Sequence, residues 1–151
     1  MALPTVRLDE IYRDVVLDHY RSPRGRKKLA SPDARAEGQN PLCGDEIEIE
    51  LMWDGNTIKD VAVRGHGCSI SVASGSMLAE LLPGKTRQEA ETVLATFKSM
   101  MHGEDVPDDV DIGDLDALAG VRKFPVRIKC ALLAWMTLKD MLEQSGEDAA
   151  K

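Results

Sequence analysis

Between Glu46 and Trp53 the residues Ile47, Ile49, Leu51 and Trp53 alternate with Glu46, Glu48, Glu50 and Met52. A period of two is the mark of a strand with one buried and one solvated face. Asp54-Gly55-Asn56 is a hairpin signal, and Ile58 to Arg64 reads as the returning strand. Cys43 stands just before the first strand, and Cys68 just after the second. Antiparallel pairing alone therefore brings the two cysteines to the same end of a sheet. No other feature constrains the fold so strongly.

The third cysteine, Cys130, and Asp45 complete a set worth following. All four residues sit where a loop meets a regular element: Asn40-Pro41-Leu42-Cys43-Gly44-Asp45, Gly65-His66-Gly67-Cys68 and Arg127-Ile128-Lys129-Cys130. Three thiolates and a carboxylate make a complete tetrahedral ligand set for zinc, and thiolates equally suit iron–sulfur clusters. There is no Cys-x-x-Cys pair, so spacing does not choose between these uses. Glycines at 44, 65 and 67 let the loops approach an ion closely. Cys68 and Cys130 are both expected at or just before a helix N-terminus, where free amides and the macrodipole favour the thiolate. His66, two residues from Cys68, is a further ligand candidate, while His19 and His102 read as surface residues. Gly65 to Ser76 lacks the lysine and spacing of a phosphate-binding P-loop.

The rest of the chain reads as scaffolding. Leu8, Ile11, Val15 and either Leu17 or Tyr20 recur at helical spacing from Arg7 to Tyr20, with Asp9 and Glu10 in the first turn and an end near Ser22-Pro23. A basic run follows, Arg21, Arg24, Arg26, Lys27 and Lys28, as a solvated connector or a docking patch for an acidic partner. Part of the polar stretch from Ser31 to Asn40 can pair as an edge strand. A helix rich in small residues at its start follows Cys68, through Ala73, Met77, Leu78, Leu81 and Leu82. Thr86 and Glu89 form a capping box for the next, whose stripe is Ala90, Val93, Leu94, Phe97 and Met101. The acidic stretch from Glu104 to Asp116 lacks the offsets of an EF-hand and reads as a solvated loop into a short helix, Gly113 to Ala119. A last amphipathic helix carries Ala131, Ala134, Trp135, Leu138, Met141 and Leu142.

A chain of 151 residues is expected to form one domain, residues 1–151, with a frayed N-terminus and a tail fraying after about 145. The net charge of −7 argues against a general nucleic-acid binder, and no stretch approaches a membrane span. Three cysteines cannot all pair, and the N-terminus has no apolar leader core, so a reducing, cytoplasmic setting is expected.

At these motifs the sequence resembles the SufU branch of the IscU/NifU N-terminal family of iron–sulfur assembly proteins. The likeness spans nearly the whole chain: Ile11-Tyr12-Arg13 with Asp18-His19-Tyr20, Asn40-Pro41 with Cys43-Gly44-Asp45, Gly67-Cys68-Ser69-Ile70-Ser71 with Ala73-Ser74, and Phe124-Pro125 before Arg127-Ile128-Lys129-Cys130-Ala131. It implies an α+β fold, a small antiparallel sheet of about three strands with helices packed on one face and the metal site exposed at one end. IscU scaffolds carry a histidine where this chain has Lys129, and their proline-rich chaperone-recognition motif is absent before Cys130. The long segment between Cys68 and Cys130 is shared with the SufU branch.

The resemblance further implies a zinc protein that accepts sulfur from a SufS-type cysteine desulfurase, which carries the PLP, and serves downstream iron–sulfur assembly proteins. The expected zinc ligands are Cys43, Asp45, Cys68 and Cys130. Cys43, beside Gly44 on the most flexible loop, is the expected sulfur acceptor, and Arg127 is expected to dock the partner or stabilise the transferring anionic sulfur. Two alternatives use the same residues: a scaffold for a [2Fe–2S] cluster without catalysis of its own, and a purely structural zinc site.

Overall fold

The computed structural model describes residues 5–41 and 44–150, with side chains described from 13 to 143. The elements are α1 (Thr5–Arg21), β1 (Ala34–Asn40), β2 (Asp45–Asp54), β3 (Thr57–His66), α2 (Ser69–Leu81), α3 (Arg87–Met101), a 3-10 helix (Gly113–Lys123) and α4 (Pro125–Ala150). The strands form one antiparallel sheet in the order β1-β2-β3. Helices α2 and α4 pack on it, with α1 against α2 and α3 against α4. The α+β architecture with a three-stranded sheet is the one the resemblance implied.

Sheet phase follows the alternation. Ile47, Ile49 and Leu51 turn inward, joined across the register by Val63 opposite Ile49 and Val61 opposite Leu51. The turn falls at Gly55-Asn56, where Gly55 adopts φ +62°, between the terminal pair Asp54 and Thr57. The outer face is less wet than the alternation predicts. Glu50 is buried there, receiving Arg64 Nη1 at 2.9 Å and the Leu29 backbone N–H at 3.2 Å, because the connection after α1 covers it. A bulge between Met52 and Trp53 shifts the register and leaves Trp53 half-buried.

Small residues set the distance between α2 and its neighbours. A Cβ at Gly75 would lie 3.1 Å from Val63 Cγ1 and 3.3 Å from Ile47 Cδ1, so α2 sits tightly on the sheet. Ser74 donates its hydroxyl to the Ala131 carbonyl at 2.6 Å, fastening α2 to α4. At the other edge, a Cβ on Gly38 would come within 2.2 Å of Thr137 Oγ1, so β1 meets α4 almost backbone to side-chain stem. The predicted stripes of α3 and α4 are all buried, with Phe97 and Trp135 in tilted ring contact at 5.7 Å. Thr86 caps α3 with the full capping box.

Several expectations need correction. Helix α1 begins at Thr5, so Asp9 and Glu10 are not in its first turn. The helix expected over Gly113 to Ala119 runs on to Lys123 as a 3-10 helix. Ile112, Leu115, Leu118 and Val121 recur every third residue, the period of that helix, and the first three are buried. Helix α4 starts five residues before Cys130, since Pro125 fills the first helical position, where its missing N–H costs nothing. Among the described residues, no helix is long and apolar enough to cross a membrane.

Candidate metal centre

The pleat decides which side chains reach the site. Asn40 and Asp45 are the closing pair of the β1–β2 ladder, and both turn to the inner face, toward α4. Asp45 is 1% exposed. Its Oδ1 accepts the backbone N–H of Cys68 at 2.8 Å, and its Oδ2 lies 3.9 Å from Cys68 Sγ. Cys68 is the N-cap of α2, as predicted, with extended backbone (φ −70°, ψ 163°). The carboxylate thus faces the positive end of that helix. Gly67, at φ +148°, makes this possible: a Cβ there would stand 2.1 Å from Asp45 Oδ1.

Cys130 arrives from α4 and is fully buried. It does not stand at a helix N-terminus, as predicted, but is the sixth residue of α4. Its backbone amide lies inside the helical ladder rather than among the free amides of a helix start. Asn40 approaches it instead, with Nδ2 3.6 Å from Cys130 Sγ and 3.5 Å from Asp45 Oδ2.

The ligand atoms of Asp45, Cys68 and Cys130 all lie within 4.8 Å of one another. Zinc bonds of about 2.3 Å to sulfur and 2.0 Å to oxygen set S and O about 3.5 Å apart in a tetrahedron. The 3.9 Å between Cys68 Sγ and Asp45 Oδ2 needs only a few tenths of an ångström of closure. A largely buried spot that gathers two cysteine sulfurs and a carboxylate holds donors of the kind zinc takes. The residues present therefore fit a divalent metal with a thiolate preference.

Other expected participants fall elsewhere. Cys43 lies outside the described residues. His66 points away, with its side chain 72% exposed and Nε2 3.0 Å from Glu46. Arg127 and Lys129 are exposed on the early turns of α4. Arg24 and Lys27 of the basic run pair within the protein, with Asp18 and Glu80 and with Asp60 respectively.

Two further buried residues, His19 and Asn40, stand out in the structure. His19, expected at the surface, is completely buried, with Nδ1 2.7 Å from Ser76 Oγ and Nε2 2.8 Å from Asp114. Its signal was its place four residues after Val15, on the same helical stripe. His19, Glu80 and Asp114 also lie within 4.8 Å of one another, but Arg24 holds Glu80 at 2.9 Å, so this is an ion-paired cluster. Asn40 belongs to the Asn40-Pro41 motif, and its signal is the inward phase it shares with Asp45.

A three-stranded α+β fold with cysteines and an aspartate gathered at one sheet end defines a class of small metal-binding proteins. The NifU-like N-terminal domain family matches residues 11–140, and the chain belongs to that family. It is 42% identical over 140 residues to the zinc-dependent sulfurtransferase SufU of Bacillus subtilis (strain 168), covering 92% of this chain and 95% of that protein. It is 39% identical to the iron–sulfur cluster assembly scaffold protein IscU of Streptococcus pyogenes serotype M1, over 93% of this chain and 87% of the relative. A crystal structure from Fervidobacterium islandicum AW-1, assigned as an iron–sulfur cluster assembly scaffold for the SUF system, superposes with a TM-score of 0.82 at 35% identity, covering 88% of this chain and 97% of that one.

Proposed function

We propose that this protein takes persulfide sulfur from a SufS-type cysteine desulfurase and passes it into cytoplasmic iron–sulfur cluster assembly, with Cys43, Asp45, Cys68 and Cys130 as ligands of a zinc ion. The observation that carries the reading is the convergence of Asp45, Cys68 and Cys130 within 4.8 Å. Cys43 is two residues from Asp45, so trans peptide geometry keeps their Cα atoms within about 7.6 Å. The zinc-dependent SufU relative supports the choice of metal and of reaction. When bound, the ion keeps the cysteine sulfurs deprotonated at neutral pH.

The chain's own residues then divide the work. Cys130 lies within α4, Cys68 caps α2 and Asp45 opens β2, so regular elements fix these three ligands while Cys43 supplies the reacting thiolate. The Cys43 thiolate attacks the outer sulfur of the desulfurase persulfide. A new S–S bond forms on Cys43 as the old one breaks, and the electron pair leaves on the desulfurase cysteine as a thiolate. Arg127, three residues before Cys130 on α4, stands on the exposed rim where it can meet the docking partner or the transferring anionic sulfur.

The test is cysteine turnover by the desulfurase with this protein zinc-loaded, metal-stripped, and as Cys43→Ala. Zinc-dependent stimulation that disappears in Cys43→Ala, with one added sulfur on Cys43 by mass spectrometry, is the expected result. Persulfide accepted equally well by Cys43→Ala would overturn the assignment. The IscU relatives favour a second reading, a [2Fe–2S] scaffold on the same ligands. Anaerobic purification yielding a brown protein with stoichiometric iron and sulfide would favour it.

A further inference from the structure

We propose that Asn40 is the positioning residue of the metal centre: its side-chain amide holds Asp45 and Cys130 as a fixed ligand pair. This rests on the metal-centre reading above. The argument begins with burial, since Asn40 is only 6% exposed and a buried amide must place its two N–H donors. Its Nδ2 has two acceptors within reach, Asp45 Oδ2 at 3.5 Å and Cys130 Sγ at 3.6 Å. Those are the two deeply buried ligand atoms, from different elements, and each is an acceptor when ionised. An amide placed between the two sets their separation before any cation arrives.

The backbone explains why the donor comes from position 40. Asn40 is the last residue of β1 and pairs with Asp45, so it shares the inward phase of the carboxylate. Two residues earlier, Gly38 lets α4 close on β1, which brings Cys130 to within reach of the amide. A hydrogen bond to a thiolate also withdraws electron density from sulfur. Cys130, sequestered and hydrogen-bonded, thereby stays a ligand while chemistry proceeds at a more accessible sulfur.

The experiment compares the full-length protein with Asn40→Leu, which keeps the volume and removes the donors, and Asn40→Asp, which keeps the shape and puts an acceptor there. Zinc affinity is read by competition with a chromophoric chelator, and the thiolate-to-metal charge-transfer bands are read after loading with Co2+. Both variants are expected to bind zinc about 10–100-fold more weakly. Their charge-transfer bands should shift relative to wild type, a change that a loss of general stability does not produce. If Asn40→Leu does not fold, the isosteric Asn40→Asp carries the comparison alone. Unchanged affinity and unchanged bands in a folded variant would overturn the role of Asn40 while leaving the metal centre intact. A wild-type protein whose Co2+ spectrum shows no thiolate bands would overturn the metal centre and this role together.

Discussion

Position 67 shows how narrowly single residues shape the site. Any side chain there meets the Asp45 carboxylate, so the loop before Cys68 depends on glycine for space as well as for its φ of +148°. His19 works at the same scale but away from the metal. Ser76 Oγ accepts the Arg24 backbone N–H at 2.8 Å and lies 2.7 Å from His19 Nδ1. His19 Nε2 meets Asp114 Oδ2 at 2.8 Å, and the imidazole joins α1, α2 and the 3-10 helix. His19→Ala removes both bonds and opens a buried void, and it should cost about 2–4 kcal/mol. Urea denaturation of the metal-free protein measures this, and a loss well below 1 kcal/mol would mean that the relay does not hold the three elements together. The sequence concealed this residue because histidine is intermediate in burial preference. Only the contact with Ser76, 57 residues away, explains why it is buried.

Among the elements, α3 was the most legible, since its start and stripe are both written locally. Thr86 Oγ1 accepts the Glu89 N–H at 3.1 Å, and Glu89 returns the bond to the Thr86 N–H at 3.0 Å. Thr86→Ala should destabilise the protein by about 1 kcal/mol in thermal or chemical denaturation. The Thr86 backbone N–H, then its side chain, hold the Glu89 carboxyl below its ordinary value. A folded-state pKa that is depressed contributes stability above the unfolded value of about 4.3 and loses it as pH falls through the folded value. The stability gap between wild type and Glu89→Ala should therefore be full at pH 6 and shrink below about pH 4.3. Parallel stability curves down to pH 3 would show that the carboxylate charge is not what matters. The 3-10 helix and the start of α4 were less legible. A period of three over eleven residues is uncommon, and α4 opens at Pro125, ahead of the apolar stripe that begins at Ala131.

For the molecule as a whole, the metal centre and the core are separate supports. Ile49, Leu51, Ile58, Phe97, Trp135 and Leu138 are buried and none is a proposed ligand. Chelation should therefore lower the unfolding temperature but leave the far-UV circular dichroism at 25 °C essentially unchanged. Zinc free at 1,000 times its Kd should add about 4.1 kcal/mol. Cooperative loss of helicity on chelation would instead make the ion a structural one, as in the smallest zinc domains. What the sequence determined by itself was the hairpin, the capped and striped helix α3, and the meeting of the Asp45 and Cys68 segments, because periodicity, turns and caps are local properties. What only the tertiary structure decided was the burial of Cys130, His19 and Glu50, and the amide of Asn40 between two ligands. Each of these depends on residues far apart in the chain, brought within a few ångströms by packing that no local pattern specifies.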